Sequence, residues 1–123
     1  ANLLGDGEIE ARGGDVNSSY VGGGGGRVAV TLTAGSTFGN VTMTARGGTC
    51  NAASGSIYHG SAGSVYTRTA SQGQTEGVLR FVNSIDSGRF TERQPTVTGK
   101  AVGEFLIGTL AEVELDPGES AVA

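Results

Sequence analysis

The chain has 123 residues with a formal charge of −4, 23 glycines, no Trp, one cysteine (Cys50) and one histidine (His59). That length fits one domain, and two prolines without a Gly-X-Y period exclude a collagen or a Pro-rich linker. Lys100 is the single lysine among mostly Arg cations. No basic stripe with interleaved aromatics exists and no apolar run is long enough for a membrane span, so neither nucleic acid nor membrane insertion is expected.

In chain order, residues 8–12 alternate Ile9 and Ala11 with Glu8, Glu10 and Arg12, a strand with one dry face. Residues 13–26 are Gly-rich and end in five consecutive glycines. A Gly tract of this kind suits a corner where one backbone lies against the next. It leads into a strand and carries no Gly-Lys-Ser/Thr, which argues against a phosphate loop. Residues 27–33 place Val28, Val30 and Leu32 inward, and residues 40–46 place Val41, Met43 and Ala45 inward. Thr31, Thr33, Thr42 and Thr44 then form an outward polar face, without the strict Thr-X-Thr rows of ice-binding stacks. Residues 47–63 read as a second Gly-rich connection. Residues 63–83 repeat the unit less cleanly, with Val65 and Thr67, then Leu79 and Phe81, at alternate positions.

Ala11-Arg12-Gly13-Gly14 recurs as Ala45-Arg46-Gly47-Gly48, and the period is about 35 residues, which points to a stacked β architecture. Residues 86–94 read as polar and turn-like. Residues 95–102 and 103–116 read as strands rather than a helix, because Gly103 and Gly108 interrupt the second segment. A turn is expected at 116–119 and a last short strand at 120–123. The expected organisation is one all-β domain over 1–123, with near-repeats over 1–85 and C-terminal strands over 86–123 completing or capping the stack.

Four motifs carry a family resemblance. They are the run from Gly22 through Arg27-Val28-Ala29-Val30, then Val41-Thr42-Met43-Thr44-Ala45-Arg46-Gly47-Gly48, then Gly60-Ser61-Ala62-Gly63-Ser64-Val65-Tyr66, and last Gly77-Val78-Leu79-Arg80-Phe81-Val82-Asn83. Together, over residues 5–83, they resemble Gly-rich repeat segments of large secreted or surface bacterial proteins with parallel β-helix (pectin-lyase-like) character. The resemblance implies a β-solenoid with Gly-rich corner loops. It also implies the company of adhesins, polysaccharide-associated surface proteins and, less often, polysaccharide lyases. A β-helix coil is shorter than this period, so a Gly-rich β-sandwich or jelly roll is the alternative fold. No catalytic motif of the family falls on any position here.

The candidate chemistry is sparse. Tyr20, Tyr58 and Tyr66 are candidate sugar-stacking aromatics. His59 is a candidate glycan contact or general base, set against the simpler reading of an exposed loop histidine. Cys50 reads as an incidental loop residue. Asp6, Glu8, Glu10 and Asp15 read as a solvated face with Arg12 as charge partner, and Glu112 and Glu114 likewise, so no metal site, cofactor or catalytic residue is expected. The chain begins on a β-like pattern with no signal peptide in view, which fits a mature or excised secreted form.

The expectation is therefore an extracellular, non-enzymatic structural module at the cell surface. It would associate with copies of itself, through edge strands or end-to-end stacking, into a fibre, sheath or surface layer. A carbohydrate-binding or adhesive module with polysaccharide as partner is the alternative, and a lyase-type enzyme ranks third.

Overall fold

A computed structural model describes residues 3–17, 20–50, 58–81 and 83, together with the backbone of strands at 89–90, 94–97, 104–107 and 113–115. The described residues are all-β, with no helix among them. In chain order the strands are β1 (Glu8–Glu10), β2 (Arg27–Thr31), β3 (Thr42–Thr44), β4 (Tyr58–His59) and β5 (Ser64–Arg68). They continue as β6 (Val78–Phe81), β7 (Arg89–Phe90), β8 (Gln94–Val97), β9 (Glu104–Ile107) and β10 (Val113–Leu115). Residues 86–88, 91–93, 98–103, 108–112 and 116–123, with the turn and last strand expected there, lie outside the described residues.

Pairing follows the repeat. β1 runs parallel to β3, with Glu8 opposite Thr42 and Glu10 opposite Thr44, and the same spacing persists to a bridge between Val16 and Cys50. β2 runs parallel to β5, with Arg27 opposite Ser64 and Thr31 opposite Arg68. β1 and β2 therefore lie beside β3 and β5 in one direction, element by element. Parallel pairing of distant segments needs a long return path between them, and the Gly-rich segments supply it. β4 with β7, β8 with β10 and β6 with β9 are parallel as well.

The two-stranded β1–β3 sheet and the four-stranded sheet of order β2-β5-β6-β9 share the core. Val28, Met43, Ala45 and Val65 are buried together, with Ile9, Ala11, Val30 and Val41 packed against them. Full burial of a side chain such as Val28 or Met43 is worth about 1.5–3 kcal/mol. These are the inward positions of the alternating segments.

Two features depart from the sequence pattern. First, β5 and β6 form an antiparallel hairpin, with Val65 opposite Arg80 and Tyr66 opposite Leu79. Directly opposed residues share a face, so Val65 and Leu79 lie on opposite faces, which alternation within each segment does not reveal. Arg80 instead points to the β3 side, where its guanidinium donates to the Met43 carbonyl at 3.3 Å. Between the two strands, the Gln72 side chain accepts the Thr69 N–H at 2.8 Å and the Glu76 carboxylate accepts the Gly73 N–H at 2.6 Å.

Second, the Gly-rich connections are extended segments rather than corners. Gly22 and Gly25 donate to the Tyr58 and Ser61 carbonyls at 3.1 and 2.9 Å, while Gly23 and Gly26 donate to Gly14 and Ala11 at 3.0 and 2.6 Å. Gly60 and Gly63 donate to Gly48 and Ala45 at 2.9 and 2.6 Å, and Gly48 donates to Gly23 at 2.8 Å. Donors aimed at one neighbour recur every third residue here, not every second. That is the period of a polyproline-II helix, whose peptide groups point outward to successive neighbours. Segments 11–14, 22–26, 45–48 and 58–63 are thus laced together by backbone alone.

Such lacing leaves no room for a side chain at particular glycines. A Cβ at Gly13, Gly25, Gly48, Gly60 or Gly63 would meet a backbone carbonyl oxygen of another segment far inside 3.0 Å. Left-handed backbone is not the reason, because among the described glycines positive φ occurs at Gly5, Gly35 and Gly39 and at none of these five. The reason is close approach. Gly25→Ala is expected to cost about 3 kcal/mol or more, since backbone must move to admit the methyl group. Gly14→Ala, whose Cβ meets nothing within 4 Å, is expected to be neutral or stabilising by up to about 1 kcal/mol. Urea unfolding of the two variants checks the contrast.

Candidate functional site

The laced segments have two sides, and side chains treat them differently. On the side next to β6, Asn83 closes the backbone network. It is 1% exposed, accepts the Gly47 N–H through Oδ1 at 3.0 Å and donates through Nδ2 to the Gly60 carbonyl at 3.0 Å. Its carboxamide takes the place of one peptide group of a further segment. The alternating pattern of residues 77–83 gives no reason to single out this Asn. The one cue is an amide side chain beside Gly segments whose peptide groups need partners.

His59 lies nearby in sequence, in β4, and is 5% exposed rather than an exposed loop residue. Its Nδ1 accepts the Cys50 N–H at 3.0 Å. That bond requires a lone pair on Nδ1, so the neutral ring carries its proton on Nε2. Cys50, 1% exposed, is likewise interior and bridges to Val16. Both residues therefore tie residues 16, 50 and 59 together.

The opposite side is the outer edge of β1. Ala11 and Gly13 donate to the Thr44 and Arg46 carbonyls, each at 3.0 Å, and Thr42 donates to Gly7 at 3.0 Å. In a parallel pair a residue turns both its peptide groups to the same neighbour and the next residue turns them away. Glu8 and Glu10 are thus the residues whose N–H and C=O face outward, and no described strand lies there.

An ion-pair group sits along this edge. Asp15 binds the Arg12 guanidinium at 2.5 Å and lies 4.0 Å from that of Arg46, while Arg12 Nε is 3.7 Å from Glu10. Arg12 and Arg46 hold equivalent places in adjoining segments, and one carboxylate serves both. Asp15 also accepts the Thr49 N–H at 2.8 Å. Its carboxyl is held below the usual carboxylate range, first by that backbone bond and then by the Thr49 side chain; desolvation opposes them, and the Arg12 and Arg46 charges add smaller lowering effects. The acidic cluster of the sequence pattern is thus partnered at Glu10 and Asp15. Among the described residues no group of three or more His, Cys, Asp or Glu is placed to hold a metal ion.

The three tyrosines occupy three settings. Tyr20 is 75% exposed and adjoins Val21, itself exposed. Tyr58 is half-buried in β4, and its carbonyl accepts the Gly22 N–H. Tyr66 is half-buried in β5, in a row with Ala29 and Leu79, and its ring lies against Gly77 so closely that a Cβ there would overlap it. The outward threonines do not stack on one another, because Thr42, Thr44 and Thr31 face Glu8, Glu10 and Arg68 across the sheets.

Comparison of the chain with protein-family models, with curated proteins and with solved structures finds no match.

Asn83→Ala leaves a buried donor and a buried acceptor without partners. At about 1–3 kcal/mol each, the expected loss is roughly 2–6 kcal/mol by urea unfolding. For Asp15 the folded pKa lies below the unfolded one, so its stabilisation is complete above the unfolded value of about 3.9 and is lost as pH falls through the folded value. Thermal midpoints of wild type and Asp15→Asn should differ by a constant amount at neutral pH and converge below about pH 4.

Proposed function

We propose that the chain is a solenoid-like extracellular module that associates with copies of itself into a fibre, sheath or surface layer at the cell surface. The observation that carries this reading is the element-by-element parallel pairing of β1 with β3 and of β2 with β5, which leaves the outer edge of β1 without a described neighbour. An arrangement in which one segment satisfies the next by backbone bonds can accept a further segment at an edge that no side chain caps. Exposed strand edges pair with further strands unless something blocks them. The reading requires no catalytic residue and no cofactor.

Electron microscopy of the native material, with light scattering over a concentration series, tests the proposal. Filaments or an ordered lattice, with mass rising with concentration, are expected. A monodisperse monomer across the series would sink it.

A second reading, a carbohydrate-binding or adhesive module, draws on Tyr20, whose ring is presented to solvent beside Val21. Aromatic rings of this kind offer a face to sugar rings at little entropic cost. On this reading Tyr20→Ala abolishes polysaccharide binding in a pull-down while leaving the unfolding midpoint unchanged.

A further inference from the structure

We infer that the outer edge of β1, continued along segment 11–14, is the docking edge for a second copy of this chain, stacked in the same parallel sense as the chain's own segments. The inference rests on the self-association reading and deepens it by placing the contact. Two independent observations lead to it.

The first is Gly14. Its counterpart in the adjoining segment is Gly48, 34 residues on, the spacing of the Glu8–Thr42 and Val16–Cys50 pairs. At Gly48 a side chain is forbidden, because a Cβ would strike the Gly14 carbonyl oxygen. Gly48 is a glycine because a segment lies in front of it. At Gly14 a Cβ would meet nothing within 4 Å, and the backbone is outside the left-handed region. Neither space nor conformation within the chain calls for glycine there. A preceding segment in the same register would, for the reason that holds at Gly48.

The second is the peptide groups of Glu8 and Glu10, which face away from β3. On the far side of the laced segments the corresponding need is met within the chain by the Asn83 carboxamide, bonded to Gly47 and Gly60. The β1 edge has no such plug among the described residues. The contact between the two repeats thus continues outward onto an edge of the same geometry, so the fitting occupant is a like segment from another copy.

The test uses the full chain. Glu10→Pro removes an outward N–H and no bond to β3, a place where an edge strand tolerates proline. Gly14→Val fills the space that an incoming backbone would occupy. Gln74→Val, in the exposed β5–β6 turn, is the control. Sedimentation over a concentration series should show half-assembly shifted upward about tenfold or more in Glu10→Pro and in Gly14→Val, and unmoved in the control. Tenfold corresponds to about 1.4 kcal/mol per contact. Urea midpoints measured below the assembly concentration should stay at the wild-type value, and if one variant unfolds the other carries the test. Hydrogen exchange adds a readout free of substitution, with the Glu8 and Glu10 amides fast in the monomer and slow in the assembly.

Wild-type chain that stays monomeric overturns the self-association reading and this inference together. Assembly that neither variant weakens, with Glu8 and Glu10 amides still fast, overturns the inference alone and moves the contact to another face.

Discussion

Backbone packed directly on backbone is the constraint from which the rest of the structure follows. Segments 11–14, 22–26, 45–48 and 58–63 approach until carbonyl oxygens occupy the places where Cβ atoms would stand. At that separation peptide groups become the packing units, and each must find its partner in a neighbouring segment. The three-residue recurrence of donors meets the requirement, because successive peptide groups of an extended threefold helix point in different directions. One segment can therefore bond several others, which a flat strand with two edges cannot do. Gly13, Gly25, Gly48, Gly60 and Gly63 are therefore explained by geometry rather than by flexibility.

That packing also dictates where side chains can matter. Apolar burial is displaced to the strands that flank the glycine segments, where Val28, Met43 and Val65 close on each other between the two sheets. Polar side chains act at the margins of the network. Asn83 ends it on one side by imitating a peptide group, and His59 holds the Cys50 amide. Asp15 reconciles two arginines that the register brings into equivalent positions, and anchors the Thr49 backbone in the same act. Each repairs a specific defect that the stacking of segments creates.

Much of the strand framework is legible from alternation alone. Period two identifies β1, β2 and β3 and their buried positions, and the shared Ala-Arg-Gly-Gly motif anticipates which segments lie side by side. Three features are not legible, each for a physical reason. The antiparallel β5–β6 hairpin turns Leu79 to the face opposite Val65, and periodicity reports alternation but not which strand is the neighbour. The glycine segments look like loops because they lack a side-chain pattern, and their order resides in main-chain hydrogen bonds that sequence does not display. His59 looks exposed because Gly60 and Ser61 follow it in a stretch that reads as a loop, whereas the backbone packed against Gly60 belongs to an ordered network in which His59 is buried. Of the tyrosines, aromatic identity alone does not separate Tyr20, which faces solvent, from Tyr66, which covers Gly77.

The energetics of glycine explain why an edge segment in such an assembly gains from a neighbour. Ordering a glycine costs more backbone entropy than ordering any other residue, and a residue's backbone costs roughly 1–2 kcal/mol. In return an interior glycine gains no apolar side-chain burial. It gains hydrogen bonds worth about 1 kcal/mol net each, together with the dispersion of close contact. A segment bonded on several sides, such as 22–26, recovers that cost through contacts with 11–14, 45–48 and 58–63. Along β1 the Glu8 and Glu10 peptide groups meet no described strand, and the ordering cost is the same. The imbalance is intrinsic to the outermost layer of any backbone-laced stack. A capping side chain relieves it, as Asn83 does at one side, and on the self-association reading proposed above a further layer relieves it at the other.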